Sequence, residues 1–310
     1  MDKPAFPPYF ALLIGVISIS FSAIFVKLAS APAPIIATYR LLFSVLLILP
    51  TLLVAKGVIT EIAGISRKIW LLSLLSGAFL ASHFLLWFES LRFTSVASST
   101  VLVTLQPLFA FVGGYFLFGE RLHPAAVVGG VLAIGGSFVI GWGDFQIGGE
   151  ALFGDILALL GAATVTVYWL IGQYVRKALS LTAYTLVVYS ASSICLLAYD
   201  LLFGYSLVGY PAADWGWFFL LALIPTLFGH SIFNWVIRWI PTSTVSMSIL
   251  GEPVGTAILA YLILDEVVTI PQYIGGGIIL LGIYLFMRWN TMIKEEKTDE
   301  QISPSTQNSA

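Results

Sequence analysis

Ile249-Leu250-Gly251-Glu252-Pro253-Val254 sets a carboxylate and a helix-breaking proline in the middle of an apolar run, Thr242 to Leu264. A charged side chain at the centre of a bilayer costs about 2.5–3.5 kcal/mol on insertion scales, so the acid needs a partner or a function. The pattern occurs twice. Val103-Thr104-Leu105-Gln106-Pro107-Leu108 stands 146 residues earlier, with Gln106 in the place of the glutamate. The same offset of 146 links Arg92 to Arg238, Glu120 to Glu266, Gly129-Gly130 to Gly275-Gly276, and Gly136 to Gly282. It also reaches the start of each half, pairing Gly15 with Gly161, Ser18 with Thr164 and Ser22 with Tyr168.

Composition fixes the solvent in which such a repeat must fold. Of 310 residues, 59% are hydrophobic and 10% charged, with a mean hydropathy of +0.97. Soluble domains carry about 45–50% and about 25%. The chain reads as an integral membrane protein. A net charge of −2 argues against nucleic-acid binding. The single cysteine, Cys195, excludes an internal disulfide and is expected to be inert packing; with only His83, His123 and His230 beside it, a Cys/His metal cluster is not expected.

Hydropathy and helix breakers divide the chain into ten apolar segments, each of about 18–25 residues and so long enough to cross as a helix. Their limits are 9–29, 33–55, 69–91, 95–118, 124–142, 152–175, 182–203, 214–237, 242–264 and 270–289, numbered here as spans 1 to 10. Apolar residues run continuously rather than alternating, which argues for helices over barrel strands. Ala29-Ser30-Ala31 resembles a signal-peptidase site, but Lys27 interrupts the run before it and the repeat needs this segment, so span 1 is read as uncleaved. Each half holds five spans, an odd number, so the halves enter the membrane in opposite senses. The expected fold is an all-α integral membrane protein: ten transmembrane helices as two inverted five-helix repeats around a central cavity. The organisation is then a cytoplasmic N-terminus (1–8), a first repeat (9–142), an external linker (143–151), a second repeat (152–289) and a disordered cytoplasmic tail (290–310). Lysine and arginine concentrate in the loops and tails on the side of both termini, including Lys3, Lys56, Arg67, Lys68, Arg121, Arg176, Lys177 and Arg238, while the other side carries Asp144, Glu150, Asp200, Asp214, Asp265 and Glu266. That places both termini in the cytoplasm.

Phe93-Thr94-Ser95-Val96-Ala97, through Gln106-Pro107, to Leu117-Phe118-Gly119-Glu120-Arg121 resembles the drug/metabolite transporter superfamily, EamA-type. The second half answers with Leu250-Gly251-Glu252-Pro253-Val254, Leu264-Asp265-Glu266 and Gly275 through Gly282. The likeness covers nearly all of residues 9–289. It departs from the family midway along span 1, where Ser18-Ile19-Ser20 replace the usual tryptophan. The resemblance implies a ten-helix bundle with a central cavity that exports small metabolites, amino acids or toxic compounds.

Several polar residues inside the spans could line that cavity. Thr244, Ser248, Glu252 and Thr256 recur at intervals of four and share one face of span 9. Span 4 offers Gln106, span 3 His83 and Trp87, span 8 Thr226, His230 and Asn234, and span 6 Thr164 and Tyr168 with Trp169 adjacent. The residues expected to bind substrate or line the cavity are His83, Trp87, Gln106, Thr164, Tyr168, His230, Asn234, Ser248 and Glu252, with Glu252 also the candidate for proton coupling. Each has a plainer reading. Glu252 could be a structural acid beside the backbone freed by Pro253; the histidines could bond a neighbouring carbonyl; Trp87 could pack; the hydroxyls could cross-link helices. Arg40 and Lys27 are expected to snorkel to the outer headgroups, the alternative being contact with an anionic solute. Pro107 and Pro253 should bend their helices. Glu120 and Glu266 should be cap or loop residues, and the glycine pairs 113–114, 129–130 and 275–276 fit close helix contact.

These features point to a secondary transporter, on the plasma membrane and multi-pass, rather than an enzyme. No G-x-x-x-x-G-K-[ST] is present, so ATP does not drive it directly, and no cofactor is expected. The expected partners are a small-molecule substrate and the lipid bilayer, with oligomeric state left open and a monomer included. The alternative is a membrane-embedded enzyme or lipid-handling protein. The chain has no H-E-x-x-H or G-x-S-x-G to support it. The discriminating feature is the cavity: apolar sealing of spans 4 and 9 would count against transport.

Overall fold

A computed structural model of the chain describes residues 4–54, 57–141 and 149–302, with side chains through 289 (Ala97 excepted). All regular structure among the described residues is helical, with no strand. The first half comprises α1 (Pro8–Leu28), α2 (Ala33–Ile48), α3 (Thr51–Val54), α4 (Val58–Gly64), α5 (Arg67–Phe93), α6 (Val96–Val103), α7 (Gln106–Phe118) and α8 (Pro124–Ile140). The second comprises α9 (Gly149–Val175), α10 (Leu181–Leu202), α11 (Ala212–Leu221), a π-helix over Ala222–His230, α12 (Ser231–Val236), α13 (Thr242–Ile249), α14 (Glu252–Leu264) and α15 (Ile270–Ile302). Among the described residues nine helical stretches are long and apolar enough to cross a membrane, and α8 is apolar but shorter at 17 residues. At 1.5 Å per residue it spans about 25 Å, a little under the ~30 Å hydrocarbon core.

Caps mark the helix starts. Ser66, Ser95 and Ser180 accept hydrogen bonds from the amides of Ile69, Ser98 and Ala183, filling donors that a helix start leaves open. Large apolar side chains including Phe10, Leu13, Ile17, Leu71, Phe116, Ile194 and Leu262 stand more than half exposed on the outward faces, a surface suited to lipid. The main core joins α1, α2, α5, α9, α10, α11 and the π-helix around Phe84, Phe88, Tyr168, Trp169, Tyr184, Tyr189 and Phe233. A second core sits where α8 packs on α15, around Ile279 and Phe286 with Met247 and Leu250.

Four expectations need correction. Spans 4 and 9 are not single bent helices: each breaks into two, at Thr104-Leu105 and at Leu250-Gly251. A proline lacks the amide that would continue the ladder and crowds the preceding turn, so Pro107 and Pro253 become the second residues of new helices. Span 8 contains the π-helix, where Pro225 interrupts the ladder and Thr226 Oγ1 donates to the Leu221 carbonyl at 2.9 Å. Cys195 is not packing but stands exposed on α10. The backbone of α15 stays helical to Ile302, where a disordered tail was expected over residues 290–310. Residues 303–310, Lys3, Lys56 and Asp144 with most of the 143–151 linker lie outside the described residues.

Candidate functional site

The two helix breaks converge. Gln106 opens α7 and Glu252 opens α14, and both line one enclosed cavity with Ser22 of α1, Arg40 of α2, His83 and Trp87 of α5, Trp169 of α9, and His230 and Phe233 from the region after Pro225. Its volume is about 20 Å³, room for roughly one water molecule. This conformation is therefore closed around the site. The broken helices are not sealed by apolar packing, since each presents its polar first residue to the cavity.

Arg40 is the most constrained group there. It is fully buried. Its Nε donates to Thr226 Oγ1 at 2.8 Å, its Nη1 donates to Ser22 Oγ at 2.7 Å, and its guanidinium carbon lies 4.2 Å from the Phe84 ring centre. Its Nη2 has no partner. No carboxylate among the described residues forms an ion pair with it, and no side chain hydrogen-bonds the Glu252 carboxyl group. The Arg40 guanidinium and the Glu252 carboxyl group thus line one buried cavity without touching.

The aromatic wall is built from stacked pairs. His230 stacks on Trp169 at 5.4 Å and 16°, His83 on Trp87 at 5.7 Å and 22°, and the two histidine rings are 6.3 Å apart. His83 Nδ1 lies 3.0 Å from the Gly161 carbonyl, a contact that assigns the proton to Nδ1. His230 Nδ1 and the indole nitrogens of Trp87 and Trp169 are buried without partners, as is Gln106 Oε1.

Of the nine residues singled out in the sequence, five line this cavity: His83, Trp87, Gln106, His230 and Glu252. Tyr168 and Asn234 lie beside it, Asn234 Nδ2 donating to the Tyr168 hydroxyl at 2.6 Å. Thr164 and Ser248 turn away: Thr164 donates to the Leu160 carbonyl of its own helix, and Ser248 donates to the Thr244 carbonyl and lines an apolar groove between α1 and α15. Arg40 is the residue the sequence reading put elsewhere. It sits seven residues inside α2, about 10 Å from the helix start, too deep for its side chain to reach the headgroups comfortably. That depth was the available signal.

Two further contacts close the ends of the bundle. At one end Lys27 forms an ion pair with Glu266, beside a vestibule of about 590 Å³ whose lining includes Ser30, Phe88, Arg92 and Tyr205. Phe88 also lies 5.8 Å from the Arg40 guanidinium carbon, between vestibule and cavity. At the other end Glu120 accepts from Gln173 Nε2 at 2.9 Å and from Ser243 Oγ at 2.7 Å, while Gln173 Oε1 accepts from the Thr242 amide at 2.6 Å. Glu120 and Glu266 are thus bridging acceptors, not only caps.

The profile of the EamA-like transporter family matches the sequence twice, over residues 6–142 and 152–288. The chain belongs to the EamA-like transporter family. Membership in this family and the many apolar helices make it a multi-pass membrane protein. Among relatives of this EamA chain, a protein of Archaeoglobus fulgidus named "Uncharacterized transporter" is 23% identical over 90% of this chain and 93% of its own length. A "Probable amino-acid metabolite efflux pump" of Escherichia coli is 28% identical over 63% of this chain and 70% of its own. A solved crystal structure, 19% identical, superposes with a TM-score of 0.74 over 92% of this chain and 99% of that one, which shows a shared fold.

Proposed function

We propose that this EamA-family chain is a secondary transporter of the plasma membrane that exports small metabolites or amino-acid-like amphipathic solutes by alternating access, with Glu252 carrying the coupled proton. The reading rests on one observation above others: two interrupted helices, 146 residues apart, present an amide and an acid to the same closed cavity. Discontinuous helices at the interface of repeats are where transporters hold their solutes.

The same reading takes the fold as ten spans in two inverted repeats, α8 included, with both termini cytoplasmic. The contact between α8 and α15 supports it. A Cβ on Gly136 would stand 2.7 Å from the Gly275 carbonyl, and one on Gly129 2.8 Å from the Gly282 carbonyl. Gly129 and Gly136 are the repeat equivalents of Gly275 and Gly282, so the two helices cross antiparallel with equivalent residues exchanged, as a twofold axis requires. The end contacts support alternation as well. Lys27–Glu266 and Gln173–Glu120 are equivalents under the same offset of 146, one latch at the outer mouth and one at the inner. Both are engaged in this closed conformation.

In this cycle a pH gradient drives export because Glu252 is exposed to one side at a time and is protonated or bare according to that side. The test is flux of radiolabelled amino acids from proteoliposomes with and without an imposed pH gradient. Acceleration by the gradient that disappears in Glu252→Gln is the expected result. Flux in that variant with the gradient response intact would remove Glu252 from coupling, and no flux of any solute in the wild type would remove the transport reading.

A further inference from the structure

We infer that Arg40 is the anchor for a carboxylate on the transported solute, which makes the cavity a site for small carboxylic acids and zwitterions rather than for cations or neutral amides; the inference rests on reading this cavity as the solute site.

The unfilled groups around the cavity carry it. Two of the three guanidinium nitrogens of Arg40 donate to neutral hydroxyls, and the third, Nη2, donates to nothing. Hydroxyls satisfy hydrogen bonds but leave the positive charge uncompensated, and an uncompensated buried charge is strongly unfavourable. Two more residues that line the cavity carry buried donors without partners, the indole N–H groups of Trp87 and Trp169. An indole nitrogen can only donate, and a guanidinium can only donate. Three empty donors, one of them charged, call for an acceptor-rich anion. A carboxylate fits because its two oxygens can take Nη2 and an indole N–H at once.

The anchor is also held in place before any solute arrives. Ser22 on α1, Thr226 at the π-helix and the Phe84 ring on α5 fix the guanidinium plane from three sides. Thr226 belongs to the π-helix and follows Pro225 directly. Across the cavity, Gln106 Oε1 and the Glu252 carboxyl group are left as acceptors. They suit an ammonium or hydroxyl on the remainder of the molecule. The present volume admits about one water, so a carboxylate can reach Nη2 only as the cavity opens.

The experiment uses the full chain in detergent, with tryptophan fluorescence and calorimetry reading binding of L-leucine, L-phenylalanine, 4-methylvalerate and phenylacetate, each against its primary amide at constant ionic strength. The acids should bind about tenfold to a hundredfold more tightly than the amides, the range of one or two charge-assisted hydrogen bonds. Arg40→Gln should abolish that preference and Glu252→Gln should keep it. Should Arg40→Gln not fold, Arg40→Lys serves, with a preference weakened about tenfold because an ammonium lacks the planar fork. Equal binding of acid and amide, an undiminished preference in either Arg40 variant, or no response to any acid overturns the anchor. Counterflow of the same compounds in proteoliposomes separates the two readings. Acid-selective binding without flux overturns transport and leaves the anchor, whereas equal flux of acids and amides overturns the anchor and leaves transport.

Discussion

Asn234 ties the floor of the cavity together. Its Nδ2 donates to the Tyr168 hydroxyl at 2.6 Å and more distantly to Tyr189 at 3.4 Å, and its backbone carbonyl accepts from Arg176 Nε at 2.8 Å. Tyr189 has a second partner in Ser231 at 3.0 Å. Removing the amide in Asn234→Leu takes a donor from the Tyr168 hydroxyl, at a cost of about 1–3 kcal/mol. The check is a lower melting temperature in detergent, followed by Tyr168→Phe in the same background. The double variant should recover part of the loss, because removing both partners is far cheaper than orphaning one. At this scale the sequence was legible where polarity was rare. Glu252, His83 and His230 stand out in apolar runs, and all three reach the cavity. It was illegible where a hydroxyl has two equally good uses. Thr164 and Ser248 bond the carbonyl four residues back in their own helices, an option open to any helical serine or threonine and invisible to spacing alone.

The contact between α8 and α15 depends on having no side chain at the crossing. Gly136 faces the Gly275 backbone, whereas its neighbour Gly135 has nothing within 4 Å of where a Cβ would stand. Gly136→Ala should destabilise by about 1–3 kcal/mol through overpacking against backbone that cannot move aside. Gly135→Ala should be neutral or mildly stabilising, since a helical glycine gives up about 1 kcal/mol relative to alanine. Thermal melts of the two variants in detergent, side by side, decide it. Identical losses would mean that the crossing tolerates a methyl group. The existence of the apolar helices was legible because each is a long continuous run. The interruptions were legible only as prolines. Whether a proline bends, breaks or widens a helix depends on what receives the freed carbonyls. In α6–α7 and α13–α14 the chain breaks, while at Pro225 it stays helical as a π-helix, with Thr226 returning a hydrogen bond to the Leu221 carbonyl.

At the scale of the whole bundle, the proposed transport cycle assigns the paired latches to an outer and an inner mouth that cannot both open if a solute is to be kept from leaking. The Lys27–Glu266 pair is nearly half exposed, with side-chain exposures of 44% and 48%. Pairs of that kind contribute about 0.2–1 kcal/mol. Lys27→Gln should therefore raise the outward-open population by up to about fivefold. The readout is the rate at which an impermeant maleimide labels Ser22→Cys from outside in a Cys195→Ser background. An unchanged rate would show that Lys27 does not hold the outer mouth. The repeat itself was legible from the offset of 146, yet the latches were not, because equivalence in sequence says nothing about which side chains meet.

The two latches also differ in kind. The outer one joins two full charges in view of solvent, while the inner one joins a carboxylate to an amide and a serine hydroxyl, partly buried. Dissolved ions screen the first strongly and the second weakly. On the transport reading proposed above, with Glu266 at the outer mouth and Glu120 at the inner, salinity outside would act as a one-sided bias on the resting state, loosening the outer mouth more than the inner one. On that same reading, brine outside would favour the outward-open form with no change in solute, proton or sequence.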